Sequence, residues 1–187
     1  MNTEFLLTQS WDDFVSKINN FMDELGIEKD EFECDHAAIR VNTQKHADQL
    51  RAFFETKGKV ISENFINGRP ILIIELNEPL MLNGTQVPYV ELPYPSEKAY
   101  PFEGWEHIEL VVPGKASTVE SLIESSIASI PKIEKAINGQ LTEIKLKQSS
   151  PKGEKERLPN PTIALKKADI CVKLHSHSIK AIIESEL

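Results

Sequence analysis

The chain has 187 residues, a net charge of −8 from 29 acidic and 21 basic side chains, and an apolar fraction of 40%, a share that excludes a largely disordered polymer. An acidic surface repels a phosphate backbone, which excludes nucleic acid, and no apolar run approaches the roughly 20 residues that span a bilayer, which excludes a membrane helix. The amino terminus lacks the basic start and apolar stretch of a secretory signal, so the expected location is cytoplasmic, where Cys34 and Cys171 read as buried thiols rather than a disulfide.

Trp11, Phe14, Val15, Ile18, Phe21, Met22 and Leu25 recur at three- and four-residue steps and predict an amphipathic helix within the first thirty or so residues. Ser10 is its expected cap, Asp12 and Asp13 suit its first turn, and Gly26 is its stop. Cys34 to Val41 reads as a strand, and a helix follows from Lys45 to Lys57, ended by Gly58. Val60 to Phe65, Ile71 to Leu76 and Val87 to Leu92 read as strands separated by the turn formers Asn67-Gly68, Asn77-Glu78-Pro79 and Asn83-Gly84. Pro93, Pro95 and Pro101 mark a linker. The order then begins again, with a strand from Glu106 to Val112, a helix from Thr118 to Ile130, strands at Leu141 to Lys147, Thr162 to Leu165 and Ile170 to His175, and a closing helix from Lys180 to Glu186. The basic run Lys152 to Arg157, broken by Glu154 and Glu156, reads as a solvated loop.

Three polar side chains stand in apolar strand company: His36, His107 and Glu91. Taken singly, each is more often an ordinary hydrogen-bonded or solvent-facing residue. Together they occupy matching places, the two histidines opening their halves and Glu91 closing the first. Because side chains alternate along a strand, His36 shares a face with Ala38 and Arg40, His107 with Glu109, and Glu91 with Tyr89. If those faces converge, two imidazoles and a carboxylate meet, a set that suits Zn, Mn, Ni, Co or Fe as the divalent ion and leaves positions open for water or a chelating ligand.

Asp-His-Ala-Ala-Ile-Arg-Val at 35–41, Tyr-Val-Glu-Leu at 89–92 and Trp-Glu-His-Ile-Glu-Leu-Val at 105–111 resemble the vicinal-oxygen-chelate superfamily, which includes glyoxalase I, fosfomycin-resistance proteins, epimerases and extradiol dioxygenases. Within it the whole chain most resembles the small YecM family of presumed metal-binding proteins. The resemblance implies an α+β fold of two paired βαβββ modules in a mixed-sheet incomplete barrel with a central cleft. Residues 1–31 are then a helical extension, 32–95 the first module and 96–187 the second, within one compact body.

The resemblance also implies metal ligands at His36, Glu91 and His107, and a substrate-carboxylate contact at Arg40. It puts Lys173 where a fourth, glutamate ligand is expected, and a protonated lysine repels a metal. Lys173 therefore has three readings: it holds an anionic substrate, which ranks first; it is a base of depressed pKa; or it points away while Cys171 or His175 reaches the site. Strand parity makes His175 the candidate fourth metal ligand, and Glu109, on the face of His107, a candidate proton-transfer group. The expected function is that of a metal-dependent isomerase, epimerase or oxygenase acting on a small anionic molecule. The alternative is a non-catalytic ligand-binding protein with a degenerate or absent metal site. Monomer and homodimer both stay open.

Overall fold

The computed structural model describes residues 3–28, 31–151 and 157–185, with side chains from Trp11 onward in that range. Helix α1 (Thr3–Leu25) buries Trp11, Phe14, Ile18, Phe21, Met22 and Leu25 along one stripe. Ser10 does not cap it: the helix-forming residues Glu4, Leu6 and Leu7 carry it back to Thr3, which leaves Ser10 inside. Gly26 follows with φ +72°, the left-handed conformation in which glycine ends a helix without strain.

The first half continues with β1 (Glu33–Arg40), α2 (Gln44–Glu55), β2 (Gly58–Ile66), β3 (Arg69–Leu82) and β4 (Thr85–Pro93). The second comprises β5 (Gly104–Val111), α3 (Val119–Ser129), the short and unexpected α4 (Ile133–Ile137), β6 (Lys145–Ser149), β7 (Thr162–Lys167), β8 (Ile170–His175) and α5 (Ile179–Glu184). All eight strands join one sheet in the order β2-β3-β4-β1-β5-β8-β7-β6. β1 is parallel to β4, β5 is parallel to β8, and β1 and β5 meet antiparallel in the middle. Strand order and direction are thus those of two βαβββ units paired about the sheet centre in a mixed α+β fold.

Alternation decides what each face does. Ala37 and Ile39, Leu72 and Ile74, Val90 and Leu92, Ile108 and Leu110, Ile163 and Leu165, and Val172 and Leu174 all enter one hydrophobic core with the buried faces of the helices. The intervening residues face the other way. The outermost strands, β2 and β6, both line a single cleft of about 360 Å³ on that side, so the sheet curls round it.

Two expected turns form as Asn67-Gly68 and Asn83-Gly84, with positive φ at both residues of each, the geometry that matches the twist of a hairpin. Asn77-Glu78-Pro79 does not turn. β3 runs through it, and the pairing with β4 lapses between Glu75 and Leu80, where Pro79 has no N–H to give. β6 begins later than expected, at Lys145, because Ile144 is buried at the end of a turn that starts from Leu141. The reading of Lys152 to Arg157 as loop falls on residues 152–156, outside the described residues.

At the start of α3, Thr118 and Ser121 form a reciprocal capping box. Thr118→Ala is expected to cost about 1 kcal/mol of stability, read as a lower urea midpoint with unchanged slope. No helix among the described residues is long and apolar enough to cross a membrane.

Candidate metal centre

The four middle strands bring chemistry to the floor of the cleft. In register, Ala38 on β1 stands between Glu91 of β4 and His107 of β5, while His36 stands between Tyr89 and Glu109. Ala38 is fully buried between them. One ligand atom each from His36, Glu91, His107 and Glu109 lies within 4.8 Å of the other three. His36 Nε2 is 3.5 Å from Glu109 Oε1 and 3.9 Å from Glu91 Oε2; His107 Nε2 is 3.3 Å from Glu109 Oε1 and 3.8 Å from Glu91 Oε1.

Both imidazoles are oriented from behind. His36 Nδ1 lies 2.8 Å from Asp35 Oδ1, and His107 Nδ1 lies 2.6 Å from Glu106 Oε2. With Nδ1–H donating to a carboxylate, each ring turns Nε2 toward the shared centre. Both Nε2 atoms are buried and lack a hydrogen-bond partner among the described residues.

Strict alternation would send Asp35 and Glu106 into the core, opposite the histidines they precede in sequence. Two bulges prevent this. The β1–β5 register steps from Cys34 to His36 against adjacent Leu110 and Glu109, which makes Asp35 the extra residue on β1. It steps from His107 to Trp105 against adjacent Ala38 and Ile39, which makes Glu106 the extra residue on β5. A bulge re-aims its unpaired side chain, and here it does so once in each half, at the acidic residue directly before the histidine. Sequence reasoning missed both carboxylates; the repeated acidic-His dipeptide was the signal available.

Asp35 also accepts the backbone N–H of Ile179 at the start of α5. Burial works against its charge, but His36 and His175 outweigh that and hold it well below the usual carboxylate range. Burial opposes charge on Glu106 too, and His107, Arg40 and Lys166 likewise hold it low. Glu109 is pulled well below its ordinary value against burial, chiefly by Lys173 and His36. Glu91 is lowered against burial by Lys173, His107 and Arg40. His36 is raised well above the ordinary imidazole value, its burial outweighed by Glu109 and Asp35.

The remaining sequence-derived residues fall as follows. Arg40 donates from Nε to Glu106 at 3.2 Å, has Nη1 3.6 Å from Glu91 Oε1, and leaves that buried Nη1 without a hydrogen bond. Lys173 is the register partner of Glu109 and bonds it at 2.7 Å. Burial would lower it, yet Glu109 and Glu91 raise its pKa, so it stands as an ammonium and not as a depressed base. His175 lies outside the four-atom group. It lines the cleft, with its Nε2 3.4 Å from Asp35 Oδ1 and its Nδ1 3.5 Å from Glu109 Oε2. Glu109, read from sequence as a proton-transfer group, supplies the fourth atom instead. Cys34 and Cys171 are buried free thiols, and burial pushes Cys171 up to about 12.

Two imidazole nitrogens and two carboxylates in one small volume are a group that could hold a metal ion. Among known proteins, the chain is 40% identical to protein YecM of Escherichia coli over 177 residues, covering 92% of this chain and 88% of that one. It is 37% identical to an uncharacterised protein of Haemophilus influenzae over 174 residues, 89% and 86% of the two chains. A solved structural-genomics protein shares 34% identity with a TM-score of 0.85, covering 100% of this chain and 94% of that one. The YecM protein family model matches residues 4–186, and the chain belongs to the YecM family.

Proposed function

We propose that this protein is a cytoplasmic binder of a divalent ion, one of Zn, Mn, Ni, Co or Fe, held on His36, Glu91, His107 and Glu109, and that the ion recruits a small anionic molecule into the cleft. The carrying observation is the pair of buried, unpartnered Nε2 atoms, each on a ring fixed from behind by a carboxylate and facing Glu91 and Glu109. A buried polar atom left unsatisfied costs about 1–3 kcal/mol, and here two share one point that coordination would satisfy together. A bound ion supplies Lewis acidity to the oxygens of a chelated ligand. The chain's own share is charge and orientation: Arg40 offers its unpartnered Nη1 to a ligand carboxylate, and Lys173 neutralises part of the carboxylate charge beside it.

In this reading the reaction is isomerisation, epimerisation or oxygenation, Glu109 transfers the proton, and the chain comprises the modules 32–95 and 96–187 behind a 1–31 extension. A second reading, ligand binding without chemistry, draws on one observation. Lys173 sits 2.7 Å from Glu109 and lowers its basicity, which weakens it as a proton acceptor.

Titration of the untagged, full-length protein with Zn²⁺ or Mn²⁺ is expected to give one equivalent per chain; absence of stoichiometric uptake defeats the proposal. The proton on His36 must leave before its Nε2 can coordinate, and the pKa of that ring is raised. Affinity should therefore climb as pH rises, with proton release, visible as a buffer-dependent heat. A flat profile counts against His36 as a ligand.

A further inference from the structure

We infer that the wall of the cleft built by β6, β7 and β8 binds a phosphate dianion, so that the molecule held at the metal centre carries a phosphoryl group at its far end. The placement of the near end rests on the metal reading above; the anion wall stands on other residues. The chain is acidic, with a net charge of −8. Its cleft inverts that balance: seven lysine and arginine side chains line it against three glutamates. A concave surface of one sign focuses its potential on whatever enters.

The charge is not spread evenly. The β2–β3 wall presents Ser62, Asn64, Ile71 and Ile73, and its one cation, Arg69, donates to the Tyr94 carbonyl at 3.2 Å. The opposite wall presents Lys145 and Lys147 from β6, Lys166 from β7 and Lys173 from β8. Lys145 stands directly opposite Lys166 in the ladder, and like charges directly opposite destabilise a sheet unless something of opposite sign meets them.

Lys166 and Lys173 are met, at 3.5 Å by Glu106 and 2.7 Å by Glu109. Lys145 and Lys147 have no ion-pair partner among the described residues, whereas Lys17 and Lys167, outside the cleft, each hold a carboxylate at 2.7 and 2.6 Å. Asn160, which also lines the cleft, leaves a buried Oδ1 without a partner among the described residues. That atom is an acceptor for a ligand hydroxyl.

The kind of cation selects the kind of anion. Clustered ammonium groups bind phosphate as compact point charges, and four of them on one wall suit a dianion better than a single carboxylate. The volume of about 360 Å³ admits a small molecule. The ligand is then a short phosphomonoester with two chelating oxygens at one end and its phosphoryl group at the lysine wall, its uncharged flank lying along Ile71 and Ile73.

The test uses the full chain at low ionic strength, titrated calorimetrically with inorganic phosphate and with acetate before metal loading. Wild-type protein is expected to prefer phosphate by at least about 10-fold, and K145Q/K147Q, at two exposed positions, to erase that margin while keeping its Mn²⁺ affinity within about 2-fold. Equal affinity for the two anions in wild type, or a preference that survives in K145Q/K147Q, overturns the phosphate assignment. A wild-type chain that prefers phosphate but takes up no Mn²⁺ supports the anion wall and sinks the metal reading alone.

Discussion

His107→Ala is expected to weaken divalent-metal binding by more than about 100-fold, beyond the roughly 10- to 100-fold that loss of a supporting partner costs. The ring is fully buried, and its Nε2 lies 3.3 Å from Glu109 and 3.8 Å from Glu91, so truncation removes one of the four ligand atoms outright. The fold should survive. Glu106, which loses its imidazole partner, still has Arg40 at 3.2 Å and Lys166 at 3.5 Å, and so is not left as an isolated buried charge. His46→Ala is the control: His46, in the first turn of α2, pairs with Glu103 at 2.8 Å and is not in the four-atom group, so uptake should be unchanged. Metal content per chain, with circular dichroism to check folding, decides the matter. Equal uptake by wild type and His107→Ala would move the ion elsewhere.

Asp35→Ala is expected to cost about 3–5 kcal/mol of stability at neutral pH, the range for breaking a buried charge pair, and to weaken metal binding by roughly 10- to 100-fold. One carboxylate there serves His36 at 2.8 Å, the N–H of Ile179, and His175 at 3.4 Å. It thereby joins β1, the end of β8 and the start of α5. Asp35→Asn keeps the shape and one acceptor and should recover part of the stability. The pH dependence has a definite sign. Asp35 is held below its ordinary value, so its contribution is complete above the unfolded pKa of about 4 and is lost as pH falls below that. The deficit of the alanine variant should accordingly shrink toward acid. A constant difference in urea midpoint across that range would argue against a charged Asp35.

Much of this was legible in the sequence because strands alternate with period two and the chain repeats its element order. Those two facts put His36, Glu91 and His107 on one face of their strands, and the adjacency of β4, β1 and β5 in the sheet brings them together. Glu109 was placed on the right face, but its membership of the four-atom group was not legible, since parity says which side a residue takes and not how far its atoms reach. Asp35 and Glu106 were not legible: a bulge reverses parity locally, and nothing in the composition of a strand announces one extra residue. The same limit hid the course of β3 through Asn77-Glu78-Pro79, where turn-forming residues mark a lapse in pairing and not a reversal. Ser10 misled because a good capping residue is also tolerated inside a helix when its neighbours extend it. Parity placed His175 on the cleft side, which it lines, and could not show Asp35 lying 3.4 Å from its Nε2.

The antiparallel union of β1 and β5 makes a seam, and a seam is not a hinge. Enzymes that clamp a ligand between two lobes open by swinging them apart; here that movement would unzip the middle of an eight-stranded sheet. Traffic into the cleft is left to its rim, where β2 and β6 end the sheet on either side.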